Sequence, residues 1–146
     1  MKITVIHGPN LNLLGVREPD VYGRVTLAEI DRRVAELAAE LGVEVSCAQH
    51  NGEGAIIEAI HRAGCNADGI VINPAGYTHT SVAIHDALKA VPVPAIEVHL
   101  SNILAREEWR QRSMTAPACV GVIGGLGVHS YLLALRGIVA LVEAGS

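Results

Sequence analysis

Apolar and polar positions along this chain follow two periods, and the switches between them mark out the elements. Ile3 to His7 is a short apolar run with strand character. Thr26 opens the stretch TLAEIDRRVAELAAEL, in which Ile30, Val34, Leu37, Ala38 and Leu41 recur at helical spacing and share one face. Thr26 and Glu29 have the capping-box spacing at its start, and Gly42 supplies the stop. Val43 to Gln49 alternates like a strand, and Gly54 to Ala63 is a second helix closed by Gly64. Gly69 to Asn73, GIVIN, is apolar without a break, the pattern of a strand covered on both faces in a parallel sheet. Ser81 to Val91 reads as a third helix, Ala95 to Leu100 as a fourth strand, Cys119 to Ile123 as a fifth, and Gly127 to Ala144 as a closing helix. A short charged segment, Arg106 to Arg112, precedes the fifth strand.

Strands alternating with helices, without Pro/Gly/Ser linkers, repeats or low complexity, predict one doubly wound α/β domain. The economical form is a flavodoxin-like three-layer sandwich, a five-stranded parallel sheet in the order 2-1-3-4-5 with helices on both faces. A chain of 146 residues is long enough for a real core. Aromatics are only 3% and Phe is absent, so that core must be built from Val, Ile, Leu and Ala.

One stretch fits neither period. Gly8 to Gly23, GPNLNLLGVREPDVYG, follows a strand but is too polar and turn-rich to be core. Loops of this length without secondary structure are usually lids, binding loops or disorder, and Leu11, Leu13, Leu14 and Val16 offer apolar anchors that argue against disorder. Among them sit Asn10, Asn12, Arg17 and Tyr22, groups suited to holding a polar small molecule.

Charge narrows the ligand class. The formal net charge is -4 and no basic run is present, which argues against a nucleic-acid surface and leaves no membrane patch. Of eleven basic residues only Lys2 and Lys89 are lysines; the rest are arginines, suited to planar recognition of carboxylates and hydroxyls. Cys47, Cys65 and Cys119 are expected to be reduced core thiols, and no Cys or His pair has zinc spacing. Without a signal-like leader or an apolar run approaching ~18 residues, the expectation is a soluble cytoplasmic protein.

In doubly wound sheets ligands bind beyond the carboxyl ends of the strands, near the switch in strand order. There the first strand delivers Asn10, Arg17 and Tyr22, the third Asn73, Pro74 and AGYTHTS, and the fourth His99, Leu100, Ser101 and Asn102. In EVHLS, Glu97, His99 and Ser101 share a face, so Glu97 can orient His99 or hold its proton.

GPNLNLLGVREPDVYGRVTLAEI, INPAGYTHTSVAIHDAL and EVHLSNILAREEWRQRS, in this order and at this spacing, resemble type II 3-dehydroquinate dehydratases over essentially the whole chain. The resemblance implies a flavodoxin-like fold and a single domain of that family over residues 1–146. It implies elimination of water from 3-dehydroquinate to give 3-dehydroshikimate, no cofactor or metal, and a homododecamer built as a tetramer of trimers. By the same resemblance Tyr22 is the base. A free phenol has a pKa of about 10, so a working base needs a fixed positive charge such as Arg17 nearby. His99 is the acid, partnered by Glu97, with Asn10 at the enolate side. Asn73 fixes a water or substrate hydroxyl, Leu100 and Ser101 take the substrate carboxylate, and His79, Asp86 and Arg110 the ring hydroxyls. The chain departs from the usual family pattern at His7, Ala75-Gly76, His85, Trp109 and Ser130, none of which is a position marked as catalytic.

Other classes of function leave weaker traces. Gly125 to Ser130 comes close to a GxGxxG nucleotide loop, but in the last βα unit no following strand can deliver a ribose-binding acid. A non-catalytic assembly module would share the fold. A metal hydrolase on His79, His85 and His99 lacks supporting carboxylate–histidine spacing.

Overall fold

The first strand, β1 (Lys2–His7), lies between two parallel neighbours and feeds the polar segment at its carboxyl end. The structure, a computed structural model, describes residues 1–16 and 18–145, and for Tyr22 the backbone alone. After β1, a 3-10 turn at Leu11–Leu13 and a short helix α1 (Pro19–Tyr22) lead to α2 (Leu27–Leu41). There follow β2 (Glu44–Gln49), α3 (Glu53–Asn66), β3 (Gly69–Asn73), α4 (Val82–Ala90), β4 (Ala95–His99), β5 (Gly121–Gly124) and α5 (Val128–Ala144). The sheet is parallel throughout, in the order β2-β1-β3-β4-β5 expected from the sequence.

Alternation along β1 divides the core into two layers. Ile3 and Val5 pack with Ile30 and Val34 of α2 and with Tyr131, Leu135 and Ile138 of α5. Ile6 packs on the opposite face with Ile56 and Ile60 of α3 and with Ile84 and Leu88 of α4. Helices thus cover both faces of the flavodoxin-like sheet. Every residue of β3 and of β4 is buried, as strands covered on both faces require. Apart from Tyr131, the apolar core is Val, Ile, Leu and Ala.

Local signals account for the ends of α2. The Glu29 N–H donates to Thr26 Oγ1 at 3.2 Å, and Gly42 takes the left-handed conformation at φ 70° that ends the helix. Five expectations need correction. Residues 8–23 contain structure of their own, the turn at Leu11–Leu13 and α1. Leu11 and Leu14 anchor that segment in the core, whereas Leu13 and Val16 are exposed. α3 runs through Gly64 to Asn66, because Gly64 packs so closely on Val91 that an added Cβ would lie 2.6 Å from its Cγ1. The fifth strand begins at Gly121, since Ala116–Ala118 forms a 3-10 turn that Cys119 closes. All three cysteines are free, but Cys65 is exposed on α3 rather than in the core. No described helix is long and apolar enough to cross a membrane.

Candidate active site

The pairing of His7 with Asn73, and of His99 with Gly124, brings the carboxyl ends of the central strands to one edge of the sheet. The chain leaving β1 passes directly over the end of β3, with Gly8 N–H donating to the Asn73 carbonyl at 2.8 Å. Only glycine fits this crossing, since a Cβ on Gly8 would stand 2.6 Å from the Pro74 carbonyl carbon. The crossing turns the next residues across the sheet edge. Asn10 sits at φ 68°, a left-handed conformation that asparagine tolerates, and its N–H donates to Asn51 Oδ1 at 3.0 Å.

At this edge lies a cavity of about 140 Å³, lined by Asn10 and Leu11 from the first loop, Asn73, Ala75 and His79 from the third, and His99, Leu100, Ser101, Arg106 and Arg110 from the fourth strand and the segment beyond it. Eight of the eleven residues named from sequence therefore meet at the cavity or directly behind it: Asn10, Asn73, His79, His99, Leu100, Ser101 and Arg110 on its wall, and Glu97 behind His99. Asp86 does not line it; its side chain is 70% exposed on α4 and lies 3.0 Å from His85 Nδ1. Asn12 turns aside toward Gln49. Arg17 and the side chain of Tyr22 lie outside the described residues.

His99 and Glu97 form the buried centre of the site. His99 Nε2 lies 2.9 Å from Glu97 Oε2, and both side chains are almost inaccessible. The Glu97 carboxylate also accepts from Ser113 Oγ at 2.9 Å and from Thr115 Oγ1. A carboxylate with three donors is satisfied in the interior and fixes the proton on His99 Nε2. His99 Nδ1 is thereby left for the cavity it lines. His79 is oriented by the same logic: Nδ1 donates to the Arg112 carbonyl at 2.8 Å, which leaves Nε2 as the working nitrogen.

Two guanidinium groups close the far wall. Arg110 Nε donates to Glu107 at 2.8 Å while the group lies 4.3 Å from the centre of the Trp109 ring. The Glu107 carboxyl is held below its usual range by its hydrogen bond from Arg110 and the charges of Arg106 and Arg110, which outweigh its desolvation. Arg106, only 13% exposed at its side chain, reaches Ser101 Oγ at 3.4 Å. The sequence marks Arg106 only as the start of a short charged segment, which has no period from which an inward arginine can be read. Among the described lining residues none is acidic, so the cavity suits an anionic, hydroxyl-rich molecule.

The sheet and this cavity define a flavodoxin-like α/β protein with a cationic ligand site at the carboxyl edge of its strands. The model of the class II dehydroquinase family matches residues 1–139, and the chain belongs to that family. A 3-dehydroquinate dehydratase of Pelotomaculum thermopropionicum is 57% identical over 141 residues, covering 97% of this chain and 98% of that one. Crystal structures of type II dehydroquinases from Butyrivibrio crossotus and Propionibacterium acnes superpose with TM-scores of 0.93 and 0.92 at 48% and 42% identity. They cover 94% and 95% of this chain and 97% and 96% of their own.

Proposed function

We propose that this chain is a hydro-lyase that eliminates water from 3-dehydroquinate to give 3-dehydroshikimate through an enolate. The observation that carries the reading is the cavity with Arg106, Arg110, His79 and His99 on its wall, no described carboxylate among them, and Glu97 buried behind His99. Family membership supports the same substrate, since the relative from Pelotomaculum thermopropionicum carries that enzyme's name.

Loss of a hydroxyl β to a ketone needs a base for the α-proton, donors for the enolate oxygen and an acid for the departing hydroxide. Tyr22, as phenolate beside the fixed charge of Arg17, takes the proton. Asn10 faces the enolate oxygen, directly or through a water. As an imidazolium, with its Nε2–H held by the Glu97 carboxylate, His99 gives its Nδ1 proton to the leaving hydroxyl, and Glu97 stabilises the ring in that orientation. The substrate carboxylate lies against Leu100 and Ser101, where backbone N–H groups and the Ser101 hydroxyl can bind it. Asn73, His79 and Arg110 hold the remaining oxygens. Asp86 joins them only if the assembly brings it to a cavity, since it is exposed in the isolated chain. The reaction draws on the chain's own groups, without cofactor or metal, in a single cytoplasmic domain assembled as a homododecamer, a tetramer of trimers.

The test is absorbance of the conjugated enone after 3-dehydroquinate is added to folded protein in EDTA. A rising trace is expected, and a flat one sinks the assignment. Tyr22→Phe should keep KM and lower kcat by at least about a hundredfold, the scale of a lost general base. Near-normal turnover in that variant would move the base elsewhere.

A further inference from the structure

Behind the cavity wall, a line of side chains runs from β3 through α5 and β1 to α2. Asn73 Oδ1 accepts from the Ala75 N–H at 3.0 Å, and Asn73 Nδ2 donates to the Tyr131 hydroxyl at 3.1 Å. That hydroxyl lies 3.0 Å from His7 Nδ1, and His7 Nε2 lies 2.7 Å from Asp31 Oδ1. Asn73, Tyr131 and His7 are buried, whereas the Asp31 side chain is 37% exposed.

One arrangement of hydrogens satisfies every atom. A backbone N–H can only donate, so the Asn73 oxygen faces Ala75 and its nitrogen faces Tyr131. The Tyr131 oxygen then accepts, and its own proton goes to His7 Nδ1. The ring therefore carries hydrogen on Nε2 and donates it to the Asp31 carboxylate, which can only accept. Four hydrogen bonds point the same way, each polarising the next.

We propose that Tyr131, His7 and Asp31 are positioning residues that hold the Asn73 amide in one orientation toward a ligand in the cavity. Asn73 keeps one Nδ2 hydrogen for a ligand oxygen and one Oδ1 lone pair for a ligand hydroxyl, and fixing the amide fixes where each is offered. The inference rests on the reading of the cavity as the 3-dehydroquinate site. The same neighbourhood is the one described group with metal-ligand proximity: His7, Asp31 and Cys47 bring ligand atoms within 4.8 Å of one another. A cation on Nε2 would displace the hydrogen that the chain places there. It would turn the Nδ1 hydrogen toward Tyr131 and leave the Tyr131 proton buried without an acceptor, so the two uses exclude each other.

The decisive variants lie at the outer end and the middle of the chain. Asp31→Ala removes the terminal acceptor, Asp31→Asn restores an acceptor oxygen, and Tyr131→Phe removes the central hydroxyl but keeps the ring. Asp31→Ala and Tyr131→Phe should raise KM for 3-dehydroquinate about three- to tenfold, the scale of a lost hydrogen bond, with kcat within about twofold. Asp31→Asn should recover most of that loss. In an Asn73→Ala background, Asp31→Ala should add nothing further to KM. Ring nitrogen shifts of labelled wild-type protein, measured without substrate, should place the His7 hydrogen on Nε2. An unchanged KM in Asp31→Ala, an equal added loss in the Asn73→Ala background, a hydrogen on Nδ1 or a KM that responds to added zinc would each overturn the proposal. If Tyr131→Phe does not fold, the Asp31 pair and the ring shifts decide. Folded wild-type protein with no turnover removes the reading of the cavity instead, and the ring shifts still judge the chain.

Discussion

Ala75 holds φ at 53°, a left-handed conformation that its Cβ disfavours by about 1–2 kcal/mol. Its N–H anchors the Asn73 amide, so the strained residue sits where an amide orientation is set. Ala75→Gly relieves the strain but gives the unfolded chain about 0.4–1 kcal/mol more entropy to lose. The expected result is a net gain of about 0.5–1 kcal/mol, read as a higher urea midpoint at unchanged slope; a lower midpoint would show that the Ala75 methyl packs productively. The cysteines behave differently from one another for equally local reasons. Burial, with the Asp31 carboxylate adding to it, pushes the Cys47 thiol up to about 12; burial and then the Glu97 charge do the same to Cys119. Iodoacetamide at pH 8 should therefore modify Cys65 in the native protein and all three thiols in denaturant, by mass spectrometry. The linkage has a definite sign. Folded Cys47 and Cys119 keep protons that the unfolded chain releases above the ordinary thiol value of 9.0, so their contribution is full below about pH 9 and is lost as pH climbs toward 12. Urea midpoints should fall between pH 8 and pH 10.

Among the elements, the crossing of β1 over the end of β3 controls the site most directly. Gly8→Ala would force its Cβ into the Pro74 backbone and must lift the loop that carries Asn10. A loss of about 1–3 kcal/mol in stability is expected, the scale of overpacking, together with a fall in kcat/KM. An unaltered kcat/KM would mean that Asn10 is positioned independently of the crossing. Elements with a long period or an unbroken apolar run were legible in the sequence: α2 between Thr26 and Gly42, and β3 with all of its residues buried. Those set by tertiary packing were not. α1 has only four residues and no period, α3 continues past Gly64 because Val91 packs on it, and the glycine-bounded β5 is a weak strand signal. Most of the cavity residues could be named because the strand-end rule needs only the sheet order, and Arg110 through the family resemblance, yet Arg106 was missed in a segment without periodicity. The contact between His7 and Tyr131 joins residues at opposite ends of the sequence, and no local pattern announces it.

At the scale of the whole molecule, a parallel sheet separates its ends, and that separation chooses between two routes for losing water from a β-hydroxyketone. One goes through an enolate and the other through a lysine Schiff base, which needs an amine beside the ketone. Both lysines lie elsewhere. Lys2 begins β1 at the amino end of the sheet, where its side chain is 65% exposed and its ammonium lies 3.9 Å from Glu44. Lys89 lies in the last turn of α4, a helix whose first turn follows the loop bearing His79. At 1.5 Å per residue it stands roughly 10 Å further along the axis, and neither lysine lines the cavity. Borohydride added during turnover should therefore neither inactivate the protein nor add substrate mass, and Lys89→Arg should turn over substrate normally. Mass spectrometry of the treated protein decides the matter. A reduced adduct on either lysine would show that the ketone reaches an amine that this fold holds away from the strand ends, and would remove Tyr22 and Arg17 from the roles proposed for them.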